Sequence, residues 1–431
     1  MNALNHSISY LTAESVYARI ARFSFLIYLF FVIFGTMLPF QGSLQERGEL
    51  GQLTDSNIVN QLLSLLFLLS FISLSGKLNA AFAFIQKEKF LTLFILWMLA
   101  SVLWSPVQMV SLKRWITLFG EFVICLAALL HFKWSEEGLR AYRVVLFLYL
   151  PLTLLAVAFI PEAIQWQFPA WRGLAPTKNN LGQVAVFSIL ALFAIISYNR
   201  GRAVNVLHYG LLFMALAAYL GARSTTSFLV GFFLLFIFIL VYLGRMISNK
   251  QLATYYAVFS ILVFFSLLYI TMVQSPEVIA SVLGVFGKDL SFTGRVDLWS
   301  TVFEMTKGKM INGWGIGGFW VNDGVHLYPI YKEFIWLPNQ SHQGYLDILN
   351  QTGVVGLSLL LLMIFGYLGK ATSLKKRNVW IWFFLGILVY NFQESLFFRP
   401  RHIGHFMFMF AYMALHIDLL KEKGIIPVRK N

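Results

Sequence analysis

Two short polar stretches hold side chains of the kinds that bind oxyanions and move protons. Ser291-Phe-Thr-Gly-Arg-Val-Asp-Leu-Trp299 contains Arg295, and Asn339-Gln-Ser-His-Gln-Gly-Tyr-Leu346 contains His342. Arginine keeps its charge at every accessible pH and offers a planar fork of donors that fits two anionic oxygens at once. Histidine titrates closest to neutrality and so serves as a proton acceptor. Both fall in one long polar segment, roughly 274–350, of a chain otherwise made of apolar runs. Polar residues retained in such a chain point to chemistry.

Those side chains need a scaffold, and composition says which kind. Of 431 residues, 58% are apolar, 17% aromatic and 12% charged, too apolar a mixture for a soluble fold of several domains. Apolar stretches near bilayer-crossing length recur at about 22–40, 58–75, 89–105, 115–132, 143–161, 181–198, 204–222, 226–244, 252–273, 352–369, 379–397 and 402–419. The expectation is an all-α integral membrane protein of about twelve transmembrane helices with one long polar loop. It divides into a nine-span region over 1–273, the loop over 274–350 and a three-span region over 351–431. The first 21 residues are polar and carry no small-residue cleavage signature, so the first span is expected to remain as an anchor.

A formal charge of +14 invites a nucleic-acid reading until its distribution is considered. With the N-terminus inside, inward segments hold 20 of the 33 basic residues against six acids, while outward segments hold 13 basic residues and 12 acids. The whole excess is a positive-inside bias. It predicts both termini on the cytoplasmic face, the 274–350 loop outside and no nucleic-acid partner.

The single cysteine, Cys125, falls within the fourth span, which excludes a disulfide and a thiolate metal site. Glu46, Glu49 and Asp55 in the first outer loop read as a solvated polar loop ahead of a metal site or a base. The glycines of Asn312-Gly-Trp-Gly-Ile-Gly-Gly318 lack the flanking strand and helix of a nucleotide fingerprint and mark a loop, whereas Gly294–Met310 reads as a helix.

Five motifs, taken in order, resemble the O-antigen ligase and polymerase superfamily. They are Lys178-Asn-Asn-Leu-Gly182 before the sixth span, Ala222-Arg-Ser-Thr-Thr226 after the seventh, Phe292-Thr-Gly-Arg-Val-Asp-Leu-Trp299, Gly313-Trp-Gly-Ile-Gly317 and Ser341-His-Gln-Gly-Tyr-Leu346. Trp104-Ser-Pro106 with Ser111-Leu-Lys-Arg114 further resembles the exopolysaccharide polymerases of that superfamily. The likeness spans roughly residues 170–400. It implies a GT-C-like, metal-independent and cofactor-free membrane glycosyltransferase with a periplasmic active site on the bacterial inner membrane. Its implied donor is a glycan on undecaprenyl diphosphate, and its acceptor a sugar hydroxyl of a lipid-linked repeat unit or of lipid A core.

The same resemblance assigns roles. Arg223 and Arg295 match diphosphate-binding arginines, which neutralise charge growing on the leaving group. From position alone, and not from the resemblance, Lys178, Arg172, Arg399 and Arg401 lie on the outer side, where each by itself reads first as structural or interfacial and together they would add to a basic funnel, with Asn179 beside Lys178 in support. His342 matches the base that relieves the acceptor hydroxyl of its proton, with Ser341 and Gln343 to orient the ring, Gly344 to allow close approach and Tyr345 to stack on sugar. Glu394 supports an arginine or the acceptor, and Glu121, inside the fourth span, is expected to sit protonated against a hydroxyl neighbour. Without the resemblance, Arg223 would read as a snorkelling interfacial residue, Arg295 as a partner of Asp297 and His342 as an ordinary solvated histidine. Trp166, Trp171, Trp314, Trp320, Trp336 and Tyr328 suit carbohydrate platforms and an interfacial belt equally.

Two rivals stand beside a polymerase. A ligase transferring polymer to lipid A core would need the same arginines and histidine. A lipid-linked glycan flippase or transporter would line its midplane with charge, whereas this chain keeps its arginines in loops and at span ends.

Overall fold

The computed structural model describes residues 2–35, 58–165, 169–198, 202–244, 294–321, 327–334, 337–371, 373–374 and 378–428. The expected ninth span, the first outer loop with Glu46, Glu49 and Asp55, the beginning of the long loop, Trp166 and Trp336 lie outside these residues.

Apolar runs become helices because a bilayer offers no partner for backbone amides and carbonyls. In chain order they are α1 (Asn2–Phe34), α2 (Ile58–Leu74), α3 (Leu78–Lys87), α4 (Lys89–Ala100), α5 (Gln108–His131), α6 (Glu137–Phe159), α7 (Lys178–Tyr198), α8 (Arg202–Gly221) and α9 (Thr225–Gly244). After the long loop's α10 (Arg295–Thr306) and α11 (Tyr328–Glu333) come α12 (Gly344–Ala371), α13 (Trp380–Tyr390) and α14 (Ile403–Glu422). Among the described residues the β-structure is one hairpin, Ile164–Gln165 with Ala170–Trp171. Eight described helices are long and apolar enough to cross a membrane, and three shorter apolar ones, Lys89–Trp104, Val206–Gly221 and Trp380–Tyr390, fall on further expected spans. The protein is an all-α multi-pass membrane protein.

α14 is the axle of the bundle: its whole apolar window is buried, and α5 follows at 83%. Lipid gives no hydrophobic reward for bringing helices together, so the contact must come from packing. Phe25 of α1 packs on Phe406 and Phe410 of α14 with ring centroids 5.6 and 4.9 Å away, and on Phe132 edge-on at 5.6 Å. Outward, Leu65, Leu68 and Phe71 of α2, Phe213 of α8 and Phe232 of α9 are exposed, as a lipid-facing surface requires.

Buried charges are held in bonded groups. Glu121 of α5 accepts from the Tyr28 hydroxyl at 2.6 Å and from the Arg401 amide at 2.7 Å, and faces His405 Nε2 at 3.4 Å. The hydroxyl neighbour expected for Glu121 is thus Tyr28, which donates to it. At the far end of α14, Lys421 donates to the Leu129 and Phe132 carbonyls, and Glu88 takes bonds from Lys370 and Tyr412.

Three element boundaries differ from expectation for local reasons. α5 starts at Gln108 instead of 115, because Ser111 bonds Ser105 at 2.6 Å and Arg114 is buried, so these polar residues are helical. α13 stops at Tyr390 well short of 397, because the Asn391 side chain captures the amides of Leu396 and Phe397 at 2.9 and 3.0 Å and turns the chain back into the bundle. α12 is broken at Gly353, where φ is 68° and the Ile311 backbone occupies the place of a side chain. The Met310 carbonyl accepts from Val354 N at 2.8 Å, supplying a partner for the amide that the break frees.

The long loop has its own small core of Leu298, Val302, Phe319, Trp320, Leu327, Ile330 and Phe334. It is clasped to the bundle through its glycine run. Trp104 Nε1 donates to Asn312 O at 3.1 Å, Ile316 N to Ser101 Oγ at 3.0 Å and Gly317 N to Gln351 Oε1 at 2.7 Å. These bonds hold the Trp104-Ser-Pro106 region against the Gly313–Gly317 run, far from it in sequence.

Candidate active site

α10 begins at Arg295 because Gly294 takes the left-handed conformation, φ 74°, and turns the chain into the helix. The Arg295 guanidinium donates to the Gln393 carbonyl and approaches Glu394 Oε1 at 3.3 Å. Glu394 is placed by the turn that ends α13, its amide bonded to Tyr390 O at 2.8 Å. Asn179, in the first turn of α7, donates to the same Oε1 at 2.9 Å, and Glu394 Oε2 faces His342 Nδ1 at 3.4 Å. Side chains from three other segments therefore converge on one buried carboxylate. Burial pushes Glu394 up, but the hydrogen bond and charge of His342 and then the charge of Arg295 outweigh it and hold the acid at about 2.

His342 sits in the left-handed region at φ 53°, a costly conformation for a residue with a side chain. Its turn is fastened on both sides. Trp299 Nε1 donates to Ser341 O at 2.8 Å, and Ser341 N reaches both Asp347 oxygens at 3.2 and 3.3 Å. Trp320 Nε1 holds Asp347 in turn at 2.8 Å. Gly344 N donates to Asn391 O at 2.8 Å, which joins the start of α12 to the Glu394 turn.

The expected ring orienters do other work. Ser341 Oγ donates to Gln343 O at 2.8 Å and the Gln343 side chain accepts from Leu346 N, so both shape the backbone, while the ring faces Glu394 and Gln340 Nε2, each at 3.4 Å. Tyr345 donates to Leu388 O at 3.1 Å and lies between Phe392 and Phe397, fastening α12 to α13. Trp320 is buried in the small core of the loop, and Trp314 carries Lys309 over its ring at 4.3 Å.

Arg223 occupies the turn between α8 and α9, exposed, with φ 44°. Trp171 of the hairpin presses on Gly221, leaving no room there for a Cβ, and so fixes the approach to this turn. The next residue, Ser224, donates to Asn179 Oδ1 at 3.1 Å, and Lys178 lies near enough to Arg223 for the two cations to repel. On the other side Arg399 donates to Gln340 Oε1, and Phe398 and Arg401, at φ 49° and 60°, bracket it. Half-buried His402, pushed down to about 3 by desolvation and by Arg399, stays neutral beside Asn180 at 3.2 Å.

The structure thus brings Arg295, His342, Glu394 and Asn179 into contact, links Arg223 and Lys178 to them through the bond between Ser224 and Asn179, and reaches Arg399 through Gln340. Asp347, Trp299, Gln340 and Gln393 escaped sequence reasoning. Only Asp347 carried a signal, as an acid in the first turn of the helix that follows His342. Among the described residues no group of three His, Cys, Asp or Glu side chains is placed to share a metal ion.

Two comparisons bear on this geometry. A family model described as O-antigen ligase matches residues 185–361, a stretch that includes Arg223, Arg295 and His342 and stops short of Glu394. The exopolysaccharide production protein ExoQ of Rhizobium meliloti (strain 1021) is 26% identical over 342 residues, 74% of this chain and 74% of that protein. Both agree with the order of motifs, and both support a likeness of this chain to the O-antigen ligase and polymerase family.

Proposed function

We propose that this chain is a polymerase that transfers a glycan from undecaprenyl diphosphate to a sugar hydroxyl of a lipid-linked repeat unit. The observation that carries the proposal is His342 Nδ1 facing Glu394 Oε2 while Arg295 holds the other oxygen of the same carboxylate. The carboxylate faces Nδ1, so in the neutral ring that nitrogen carries the hydrogen and Nε2 is the one left to accept a proton.

Nε2 then takes the proton of the acceptor hydroxyl as that oxygen bonds to the anomeric carbon. The bond from that carbon to the diphosphate oxygen breaks, and its electron pair leaves on the phosphate. Arg223, Arg295 and Lys178 meet the charge that develops there. The chemistry uses these side chains without a metal or cofactor. The fold is read as GT-C-like with about twelve spans, and the positive-inside bias turns the site to the periplasm and both termini to the cytoplasm.

A polymerase is favoured over a ligase by the likeness to an exopolysaccharide production protein and by the near balance of 13 basic residues and 12 acids on the outward side. A ligase must bring up an anionic core, which a clear positive excess would assist. A flippase is disfavoured because the buried Glu121 is taken up by the Tyr28 hydroxyl and the Arg401 backbone amide. Mass spectrometry of lipid-linked glycans from a deletion strain tests the assignment. A single repeat unit on the carrier with loss of long polymer is expected. Persistence of long lipid-linked polymer, with only its transfer to lipid A core lost, would make the protein a ligase.

A further inference from the structure

Glu394 serves two cations with different tasks. Arg295 Nη2 lies 3.3 Å from Oε1 and His342 Nδ1 lies 3.4 Å from Oε2. The carboxylate side chain is only 8% exposed, so water and salt weaken its field little, and a change at one partner is felt by the other. Asn179 gives the carboxylate a third, neutral bond at 2.9 Å and is itself held by Ser224 at 3.1 Å. Glu394 therefore keeps its place if either cation turns away.

We infer that donor binding strengthens the base: a diphosphate draws the Arg295 guanidinium from Glu394, and the freed carboxylate charge then falls on His342. The inference rests on the proposed role of Arg295 toward a diphosphate. A diphosphate carries more negative charge than one carboxylate and matches both prongs of the guanidinium, so it competes well for it. Nδ1–H of His342 then faces a carboxylate released from Arg295, and Nε2 accepts a proton more readily. The base thereby becomes strongest when a donor is seated.

Other charged groups surround His342. Arg399 reaches it through Gln340, neutral His402 stands at the start of α14, Asp347 lies behind Ser341, and Lys178 and Arg223 stand beyond Asn179 and Ser224. Arg295 differs from these in bonding directly to the carboxylate that faces the ring.

The test uses the purified full chain and carbethoxylation of His342, followed on its own peptide by mass spectrometry across pH, with and without farnesyl diphosphate as a short lipid diphosphate. Binding of the probe is measured separately by equilibrium dialysis. The pH midpoint of modification should rise by about one unit when the probe binds, as expected for unmasking an adjacent opposite charge. Simple shielding would slow the reaction at every pH and leave the midpoint in place. Glu394→Gln should abolish the rise, and Arg295→Gln should show the raised midpoint without probe.

A rise that persists in Glu394→Gln would come from the probe's own field and overturn the relay. Binding with no rise in the wild type would also overturn it while leaving the diphosphate reading intact. Failure of farnesyl diphosphate to bind the wild type would bring down both.

Discussion

Asn179 and Glu394 are joined by a 2.9 Å hydrogen bond across 215 residues of sequence. Because Asn179 also accepts from Ser224, next to Arg223, this one amide ties the exposed arginine turn to the carboxylate that orients His342. The side chains proposed for anion binding and for proton transfer are thus parts of one bonded array, and substitutions in either should be felt in transfer.

His342→Ala is expected to lower transfer by about two to four orders of magnitude, the range a positioned base contributes. Its membrane level should stay near wild type, since the turn is held through Ser341 and Gly344. Transfer within about threefold of wild type at equal expression, a margin of about 0.65 kcal/mol by transition-state arithmetic, would remove His342 from the mechanism.

Arg223→Lys and Arg295→Lys should each be strongly impaired. Lysine keeps the charge but cannot present two parallel donors to a phosphate. Full turnover in both variants would reduce the arginines to generic charge.

Excess chelator should leave turnover unchanged, since in the proposed mechanism two arginines take the part of a divalent ion at the diphosphate. Loss of activity restored by magnesium or manganese would point instead to Glu46, Glu49 and Asp55 of the first outer loop.

Gly221→Ala should displace the Arg223 turn, because a Cβ there collides with the Trp171 indole. Transfer is expected to fall about tenfold, equivalent to about 1.4 kcal/mol. Combining it with Trp171→Ala, which opens the space, should recover much of the loss relative to Trp171→Ala alone. If the double variant is no better than Gly221→Ala while both remain in the membrane, the steric account is wrong.

In a Cys125→Ala background, cysteines at Lys332 and Ser373 report sidedness to an impermeant thiol reagent. The charge distribution predicts labelling at 332 and protection at 373 in intact spheroplasts. The reverse pattern would invert the orientation.

Much of the fold is legible in sequence because apolar runs and their charged flanks obey the bilayer. The positions of Arg295 and His342 in a polar loop need only residue type and spacing. Backbone conformation is not legible: Arg223, His342, Phe398 and Arg401 are all left-handed without being glycine, and nothing in residue type announces it. Nor is the end of α13, since Asn391 looks like one more residue of an apolar run until its side chain is seen capturing Leu396 N and Phe397 N. Hydropathy puts Glu394 within a span for that reason, and its meeting with Asn179, Arg295 and His342 is a tertiary event that no local pattern encodes.

The chain segment that turns back between α13 and α14 also sets when these side chains can first meet. A ribosome delivers the chain from its N-terminus, so Asn179, Arg295 and His342 are made and inserted before Glu394 emerges. The Arg401 amide that meets Glu121 arrives later still, 280 residues after its partner. A nascent or C-terminally truncated chain accordingly presents the arginines and the histidine without the carboxylate that joins them. These four side chains therefore stand together only once the segment after α13 has been made.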